Sequence, residues 1–363
     1  MSLLFSPLTL RGTTFANRVW LAPMCQYSAV DGVPNDWHLV HLGSRATGGF
    51  GLLLTEAAAV VPEGRISPQD AGLWNDIQAD SWSRIVDFVH GQGSRIGVQL
   101  AHAGRKASTY RPWSETSGTV PESDGGWTAV GPSDLPFVGY EAPRTLTASQ
   151  IADVVEAFAD AAVRAARAGF DVVEIHAAHG YLLHQFLSPR SNLRTDSYGG
   201  DLAGRSRLLL DVVHAVRAVW GEKPLLVRLS GTDWVEGGWD IEQTTELAGW
   251  LAAAGVDLID MSSGGNEPAA IPVGPNYQVP LAAEVKRRVG IPIGAVGLIT
   301  EPQQAEQILD DGGADVVLLA RAALREPSWP FRAAHELGLT HHDIDYPAQY
   351  TRGSWPDPVP AGR

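Results

Sequence analysis

Two histidines and a tyrosine lie within six residues of one another and are the side chains of this sequence best suited to chemistry. They are His176, His179 and Tyr181, in the stretch 170–200. Two neighbouring imidazoles can donate hydrogen bonds to one oxygen that becomes negative, and a phenol two residues later can supply a proton nearby. The pattern indicates stabilisation of an oxyanion combined with proton supply.

An apolar run precedes these side chains and predicts the element that positions them. Residues 170–175 include Val172 and Val173 and follow Gly169, which is typical of a strand buried on both faces of a parallel sheet. The three side chains therefore come at the carboxyl end of a core strand. Active sites of α/β barrels lie at that end.

Two other interpretations of the triplet stay open on these residues alone. Histidines at a strand end can simply cap loop backbone, and short motifs often match by chance. A zinc site with His184 as a third ligand is also conceivable, although the H-E-x-x-H spacing is absent.

Composition limits the class of protein. The chain has 363 residues, is 44% hydrophobic and carries a formal net charge of -14. This acidic balance argues against nucleic acid as a partner, because phosphate binding needs a basic face. No apolar run approaches the ~20 residues of a membrane span, and the N-terminus lacks the features of a signal peptide. The single cysteine, Cys25, excludes an internal disulfide and a cysteine-ligated iron–sulfur cluster, and it predicts a cytoplasmic protein.

Apolar runs alternate with amphipathic segments and predict eight β/α units. The candidate strands are 17–24, 50–55, 95–100, 170–175, 225–229, 258–261, 291–295 and 314–320. The candidate helices are 37–47, 81–91, 206–219, 242–254 and 281–289, with two more that begin at 147–150 and 300–303. This alternation is typical of a single α/β TIM barrel. We expect the barrel in residues 1–345 and a Pro-rich tail in residues 346–363.

Local signals sharpen parts of this prediction. Residues 8–14 read as a hairpin that closes one end of the barrel. Residues 101–144 are rich in Gly, Pro and Ser and predict a long functional excursion over the site after the third strand. Capping boxes are expected at Thr147-x-x-Gln150 and Thr300-x-x-Gln303, the second with Pro302 in its first turn. In helix 81–91, Ile85, Phe88 and Val89 are the expected buried face.

Further candidate residues fall at the carboxyl ends of the predicted strands. Ala22, Pro23, Met24 and Cys25 follow the first strand, Ala57 follows the second, Gln99 ends the third, Arg228 lies in the fifth, residues 294–297 follow the seventh, and Ala320 and Arg321 end the eighth. Glycines and an arginine after the last two strands suit a phosphate site, because small residues let backbone N–H groups approach and arginine supplies a fork of donors. Taken singly, Gly297 could only turn the chain and Arg228 could pair with an internal acid.

Long blocks of the sequence resemble the Old Yellow Enzyme family of FMN-dependent ene-reductases, and its thermophilic-like bacterial subclass in particular. The blocks are LAPMCQYS (21–28), QLAHAGRKAS (99–108), EIHAAHGYLLHQFLSPRSNLRTDSYGG (174–200), RLSGTDWVEGG (228–238) and LLARAALREP (318–327). The resemblance spans roughly residues 5 to 355.

The resemblance implies where a flavin would lie. FMN would cover the barrel mouth, with its phosphate near Gly297, Ala320 and Arg321. Gln99 would bond the pyrimidine edge, and Arg228 would face the N1/C2 carbonyl region, where a cation favours the reduced state. Residues 22–24 and Ala57 would contact the ring. At the substrate end the resemblance implies Tyr27 and Cys25, of which Cys25 would also tune the flavin, with Lys106 as a neighbour of the same pocket. It further implies that Arg352 reaches into a partner subunit's site, although Ser354 and Trp355 depart from the family pattern.

The resemblance also implies a reaction. An NAD(P)H:flavin ene-reductase of the NADPH dehydrogenase type would reduce the activated C=C bond of an α,β-unsaturated carbonyl compound, by hydride from flavin N5 to the β-carbon. His176 and His179 would hold the carbonyl oxygen while Tyr181 protonates the α-carbon. The implied partners are the nicotinamide nucleotide, an enone-type substrate and other copies of the chain in a homodimer or homotetramer. A related flavin barrel acting as an amine dehydrogenase or dienoyl-ester reductase, or a non-catalytic flavin-binding barrel, stays open.

Overall fold

The structure is a computed structural model that describes residues 2–356. Residues 357–363 of the predicted tail lie outside this range. The described chain begins with an antiparallel hairpin, β1 (Leu8–Leu10) and β2 (Thr13–Phe15), in which Leu8 faces Phe15. Arg11 and Gly12 form its turn with positive φ angles of 40° and 78°. The predicted hairpin is therefore confirmed.

Ten further strands follow along the chain. They are β3 (Val19–Leu21), β4 (Leu52–Ala59), β5 (Arg95–Ala101), β6 (Val130–Gly131), β7 (Arg144–Thr145), β8 (Val172–Ala177), β9 (Leu225–Ser230), β10 (Leu258–Ser262), β11 (Ile293–Ala295) and β12 (Val316–Leu319). Eight of them, β3, β4, β5 and β8 to β12, close into a parallel barrel in which β12 pairs with β3. This is the predicted TIM barrel.

Ten helices surround or flank the barrel within residues 2–356. They are α1 (Asp36–Ala46), α2 (Asp76–Gly91), α3 (Ala148–Ala168), α4 (Leu182–Leu187), α5 (Leu202–Trp220), α6 (Ile241–Ala253), α7 (Val279–Val289), α8 (Pro302–Asp310), α9 (Arg321–Arg325) and α10 (Trp329–Glu336). None of the described helices is long and apolar enough to cross a bilayer.

The barrel interior changes from apolar to polar along the strands. At the end where the strands start, Trp20, Leu52, Val172 and Leu226 pack together. Hairpin residues Leu10 and Phe15 join this cluster and close that end, as predicted. Because side chains two apart in a strand share a face, the same strands next direct polar residues inward. The opposite end of the barrel is therefore the polar mouth.

Three local predictions need correction. Ala57 lies inside β4 rather than after it, next to a register shift between Leu54 and Ala57. In α2, Ile85 and Val89 are buried, but Phe88 is 40% exposed, because the buried face of this helix turns towards Trp82 and Val86 instead. The capping box of α8 is formed by Glu301 and Gln304, one residue later than predicted. Thr147 and Gln150 do form the predicted capping box of α3.

The excursion between β5 and α3 covers part of the mouth. Two short 3-10 turns and the parallel pair β6 and β7 are its only regular elements among the described residues. Trp127 and Ala129 from this segment pack in one cluster with Cys25 and Tyr181. The excursion therefore forms a wall beside the predicted chemistry.

Candidate active site

His176, His179 and Tyr181 are brought together at the carboxyl end of β8. The ring of His176 lies 5.2 Å from that of His179 and 5.0 Å from that of Tyr181, both in edge-to-face arrangements of 83° and 75°. His176 is within the strand, His179 follows it, and Tyr181 precedes the first turn of α4. The three predicted side chains thus form one cluster at the mouth.

Each imidazole keeps one ring nitrogen available. The backbone N–H of Ala178 donates to His176 Nδ1 at 3.3 Å, so the ring proton of the neutral imidazole lies on Nε2, which has no partner among the described residues. His179 Nε2 hydrogen-bonds to Ser262 Oγ at 2.7 Å. Its Nδ1 likewise has no described partner. Ser262 Oγ also lies 3.3 Å from Gln278 Oε1, the other acceptor for its single proton. When Ser262 donates to His179 at the shorter distance, both free imidazole nitrogens carry protons and can donate to one oxygen.

The backbone around His179 is held in an uncommon conformation. His179 has φ +58°, a left-handed value rare for a residue with a side chain. Its N–H donates to Ser230 Oγ at 3.0 Å. The next residue, Gly180, approaches Gly265 so closely that a Cβ there would lie 2.2 Å from the Gly265 carbonyl oxygen. The loops after β8 and β10 are therefore in direct backbone contact.

Lys106 joins these two loops. Its Nζ donates to the carbonyl oxygens of His179 at 2.8 Å and Gly265 at 3.0 Å. The ammonium also lies 5.0 Å from the Tyr181 ring centroid and 4.7 Å from that of Phe137 in the excursion. Burial, and then the charge of Arg105, lower the pKa of Lys106 to about 8. Lys106 is thus a clamp beneath the proposed proton donor.

Burial also sets the protonation states of the triplet. Burial, followed by the positive charge of Arg228, lowers the pKa of His176 and of His179 well below the ordinary range. Both imidazoles are therefore neutral hydrogen-bond donors at neutral pH. Burial, the largest cause, raises the pKa of Tyr181 well above its ordinary value. Its phenol stays protonated and can act only as an acid.

His184 has a structural role instead of a zinc-binding one. Its Nδ1 accepts from the Gly180 N–H at 2.9 Å, and its Nε2 lies 3.0 Å from Asp233 Oδ1, with both side chains fully buried. Asp233 also accepts from Ser188 Oγ at 2.6 Å. Within residues 2–356, no group of three or more His, Cys, Asp or Glu side chains is placed to hold a metal ion.

Cys25 and Tyr27 lie in the same packed cluster at the mouth as Tyr181 and Ala57. Tyr27 has φ +50° and packs edge-on against Trp113 at 5.6 Å. Burial, followed by Asp70 and Glu56, raises the pKa of Cys25 well above its usual range, so this side chain is a thiol and not a thiolate.

Gln99 and Arg228 form part of the floor of the mouth. Gln99 Nε2 donates to Glu174 Oε1 at 2.8 Å, and Gln99 Oε1 has no described partner. Arg228 Nε lies 2.9 Å from Asp260 Oδ2, which is the internal acid that the sequence left open, while its terminal nitrogens make no described hydrogen bond. Ala22 is buried beneath this floor, and Pro23 and Met24 are partly exposed at its edge.

A cavity of about 230 Å³ lies at the ends of β11 and β12. It brings together Gly297, Ala320 and Arg321, as predicted, and adds Ser262 and Arg325. Gly297 has φ +132°, which residues with a side chain rarely adopt, and a Cβ there would meet Gln278 at 3.2 Å. Arg321 is exposed and has no described ion pair. Two arginines and an open backbone suit an anionic group here.

Arg352 does not reach this site within its own chain. It is exposed in the 3-10 turn Ala348–Gly353. The surrounding tail packs on α10, where Tyr346 stacks on Phe331 at 4.2 Å and Trp355 stacks on His335 at 4.6 Å. The structure thus separates Arg352 from His176, His179 and Tyr181.

Comparisons with known proteins agree on one family. The model of the NADH:flavin oxidoreductase / NADH oxidase family matches residues 3–340. The chain belongs to this family. It is 45% identical to the NADPH dehydrogenase of Halalkalibacterium halodurans over 351 residues, and this match covers 96% of this chain and 98% of that protein.

Two solved structures extend the comparison. Morphinone reductase in complex with tetrahydroNAD superposes with a TM-score of 0.77 at 30% identity, covering 95% of this chain and 97% of that one. A 2-naphthoyl-CoA reductase complex gives a TM-score of 0.84 at 26% identity, covering 92% of this chain and 52% of that one. The resemblance to Old Yellow Enzymes is confirmed, and the chain is an FMN-dependent NAD(P)H oxidoreductase.

The residues at the mouth fit the flavin that the NADH:flavin oxidoreductase family binds. The free atoms of Gln99 and Arg228 suit the polar edge of a flavin ring, and the cavity with Arg321 suits its phosphate. Sequence reasoning missed four residues that support these groups: Ser230, Ser262, Glu174 and Asp260. Glu174 and Asp260 could have been noticed in the sequence, since each is an acidic residue inside an otherwise apolar strand.

Proposed function

We propose that the protein is an ene-reductase, which uses NAD(P)H to reduce the activated C=C bond of α,β-unsaturated carbonyl compounds. The observation that carries this proposal is the pair of free ring nitrogens on His176 and His179 beside the protonated phenol of Tyr181. Two fixed neutral donors and one acid match an acceptor that develops charge on oxygen and needs a proton on carbon.

His176 and His179 hold the carbonyl oxygen of the acceptor. Because both are neutral, they stabilise the developing enolate charge by hydrogen bonding and do not transfer a proton to oxygen. Such a donor is typically worth about 3 kcal/mol of the barrier when removed. The carboxamide oxygen of the nicotinamide can use the same two donors, so one pocket serves both substrates in turn.

Tyr181 supplies the proton to the α-carbon. Its raised pKa keeps the phenol protonated, and the neighbouring ring of His176 and the ammonium of Lys106 fix its plane. A positioned general acid contributes about 10²–10⁴-fold to the rate of a step that needs it. Tyr27 and Cys25, which pack in the same cluster as Tyr181, would line the pocket of the acceptor.

The proposed flavin contacts follow from the free groups at the mouth. Gln99 and Arg228 would hold the pyrimidine edge, while Ala22, Pro23, Met24, Cys25 and Ala57 would contact the ring, and Gly297, Ala320 and Arg321 would bind the phosphate. When bound, FMN supplies the hydride to the β-carbon. The fixed charge of Arg228 favours the reduced cofactor electrostatically.

We also propose that the tail acts between subunits of a homodimer or homotetramer. Arg352 is exposed, makes no described contact with its own mouth, and lies on a turn packed against α10. It would therefore complete the substrate end of a partner subunit's site. In this proposal residues 1–345 are the barrel and residues 346–363 are an intersubunit arm.

An anaerobic titration tests the proposed function. The yellow protein is titrated with NADH and NADPH in turn, and flavin bleaching is followed by absorbance. The reduced protein is then mixed with enones, a nitroalkene, a maleimide and an unsaturated CoA thioester. The oxidised protein is mixed separately with an amine, because an amine dehydrogenase would bleach its flavin at the expense of the amine. Rapid reoxidation by the enones supports the proposal. Reoxidation by the thioester alone would favour a dienoyl-ester reductase, and no reoxidation by any acceptor would indicate a flavin-binding barrel without this activity.

A further inference from the structure

Four buried polar side chains meet inside the barrel just below the mouth. Gln99 on β5, Glu174 on β8, Arg228 on β9 and Asp260 on β10 are all at most 6% exposed. Gln99 Nε2 donates to Glu174 Oε1 at 2.8 Å, and Arg228 Nε pairs with Asp260 Oδ2 at 2.9 Å. Neighbouring strands thus present one guanidinium to two carboxyl groups.

The charges of this cluster do not balance when both acids are ionised. Glu174 Oε2 and Asp260 Oδ1 have no hydrogen-bond partner among the described residues. An unpaired buried charge is costly, and a group in that position takes up a proton instead. One proton on the two acids neutralises the excess negative charge. The geometry therefore calls for one carboxylate and one carboxylic acid beside Arg228.

The environment assigns the proton mainly to Glu174. Burial, and then the charge of Asp260, raise the pKa of Glu174 to about 8, against the opposing effects of Arg228 and of the hydrogen bond from Gln99. Burial raises the pKa of Asp260 as well, but the guanidinium of Arg228, whose Nε lies 2.9 Å from Asp260 Oδ2, opposes that rise. Asp260 and Arg228 are the charged groups that act on Glu174 from the strands packed against it.

We propose that Glu174 is a positioning residue for the flavin, held as a neutral carboxylic acid beside the pair of Arg228 and Asp260, where it fixes the amide of Gln99. Because the amide N–H₂ of Gln99 is engaged by Glu174, its carbonyl oxygen is left free at the mouth. A free acceptor there matches the N3–H donor of a flavin pyrimidine ring. The inference rests on the FMN cofactor that family membership gives and not on the proposed enone substrate.

The state of the acid pair also acts on the cofactor. A neutral Glu174 leaves the charge of Arg228 only partly compensated by Asp260 at the floor of the mouth. Ionisation of Glu174 adds a negative charge there, which disfavours a reduced, anionic cofactor. The midpoint potential of the bound flavin should therefore fall more steeply with pH above about 8 than a flavin without this neighbour.

The experiment compares Glu174→Gln with Glu174→Leu in the full-length holoprotein. Glutamine keeps an acceptor for Gln99 and mimics the protonated acid, whereas leucine removes the acceptor. Expected for Glu174→Gln are FMN affinity within about twofold of the wild type, an unchanged midpoint potential at pH 7, and loss of the steeper limb above pH 8. Glu174→Leu should bind FMN about tenfold more weakly, since the Gln99 amide is no longer held.

Infrared spectroscopy observes the proton itself, with no need for enzyme activity. A protonated-carboxyl C=O band should be present in the wild type at pH 7 and absent from Glu174→Gln. Asp260→Asn removes the competing acid, so it should move the titration of this band to lower pH. A Glu174→Gln variant whose potential rises at pH 7, or whose infrared spectrum matches the wild type, would overturn the proposal, because either result means that Glu174 is ionised. Equal FMN binding by the leucine variant would refute the positioning role.

Discussion

Replacing Lys106 with methionine should impair enone turnover far more than it impairs folding. The wild-type ammonium is held charged although burial lowers its pKa from 10.5 to about 8. At about 1.4 kcal/mol per pH unit, keeping it charged costs about 3 kcal/mol. Its two charge-assisted hydrogen bonds to His179 O and Gly265 O return about 1.5–3 kcal/mol each.

The cost of burying the charge and the contribution of the two hydrogen bonds nearly cancel in the free energy of unfolding, but the loss of both should still impair turnover. Lys106→Met should lower the free energy of unfolding by less than about 3 kcal/mol. Without the clamp, the strained backbone at His179 loses a fixed partner, and the cation beside the Tyr181 ring is gone. A misplacement of about 1 Å can cost about 10²-fold, so kcat/KM for enones should fall about 10–100-fold.

Thermal unfolding and stopped-flow flavin reoxidation measure the two effects separately. Lys286→Met is the matched control, because Lys286 Nζ also bonds one backbone carbonyl, that of Ala314 at 3.0 Å, and pairs with Asp315 at 2.9 Å, on the outside of the barrel. Lys286→Met should have a lower free energy of unfolding than the wild type and unchanged enone activity. Wild-type enone kinetics in Lys106→Met would refute the clamp.

The pH dependence of the same lysine has opposite signs for activity and stability. Enone turnover by the wild type should decline as pH rises through about 8, because the cation is lost. Between about pH 8 and pH 10.5 the unfolded chain binds a proton at Lys106 that the folded chain lacks, so wild-type stability should rise relative to Lys106→Met. If Lys106→Met kept the decline of enone turnover above pH 8, that decline would have to come from a group other than Lys106.

Three further predictions address the cofactor and the tail. Arg321→Ala should purify with less FMN and bind it more weakly by equilibrium titration, while Arg84→Ala on the exposed face of α2 should not; equal occupancy would remove Arg321 from the phosphate site. Cys25→Ala should shift the flavin spectrum and midpoint potential while the fold is kept, and unchanged values would make this thiol a simple packing residue. Deletion from Thr351 onward, which removes Arg352, should raise KM for enones or nicotinamide, and unaltered kinetics would show that the tail has no part in the site.

The barrel was predictable because its signals are periodic and local. Eight short apolar runs, each followed by a helix or the excursion, left few other topologies, and Thr147 with Gln150 marked the start of α3 correctly. Boundaries were less predictable. The choice of Thr300 over Glu301 as the α8 cap failed because Gln304, rather than Gln303, turns back to the cap backbone.

The clustering of the predicted site residues could be foreseen from the sequence, but the residues that support them could not. His176, His179 and Tyr181 are close in sequence, so one strand end brings them together. Their supports come from other strands, such as Ser262 on β10, 83 residues away from His179. Only the closed barrel brings these two residues into contact, and the periodicity of the sequence carries no information about such contacts between distant strands. Acids inside apolar strands, such as Glu174, were the one visible sign of an internal network.

Stopped-flow absorbance of Tyr181→Phe tests the central claim most directly, because it separates the two half-reactions. Flavin reduction by NAD(P)H should stay within about twofold of the wild type, since no proton on carbon is needed there. Reoxidation by weakly activated enones should slow about 10²-fold or more, and reoxidation by maleimides should be spared. His176→Ala should instead slow reoxidation by every acceptor, because it removes a donor to the shared oxygen. Slow flavin reduction with unchanged enone reduction in Tyr181→Phe would contradict the proton-donor role and the proposed reaction with it.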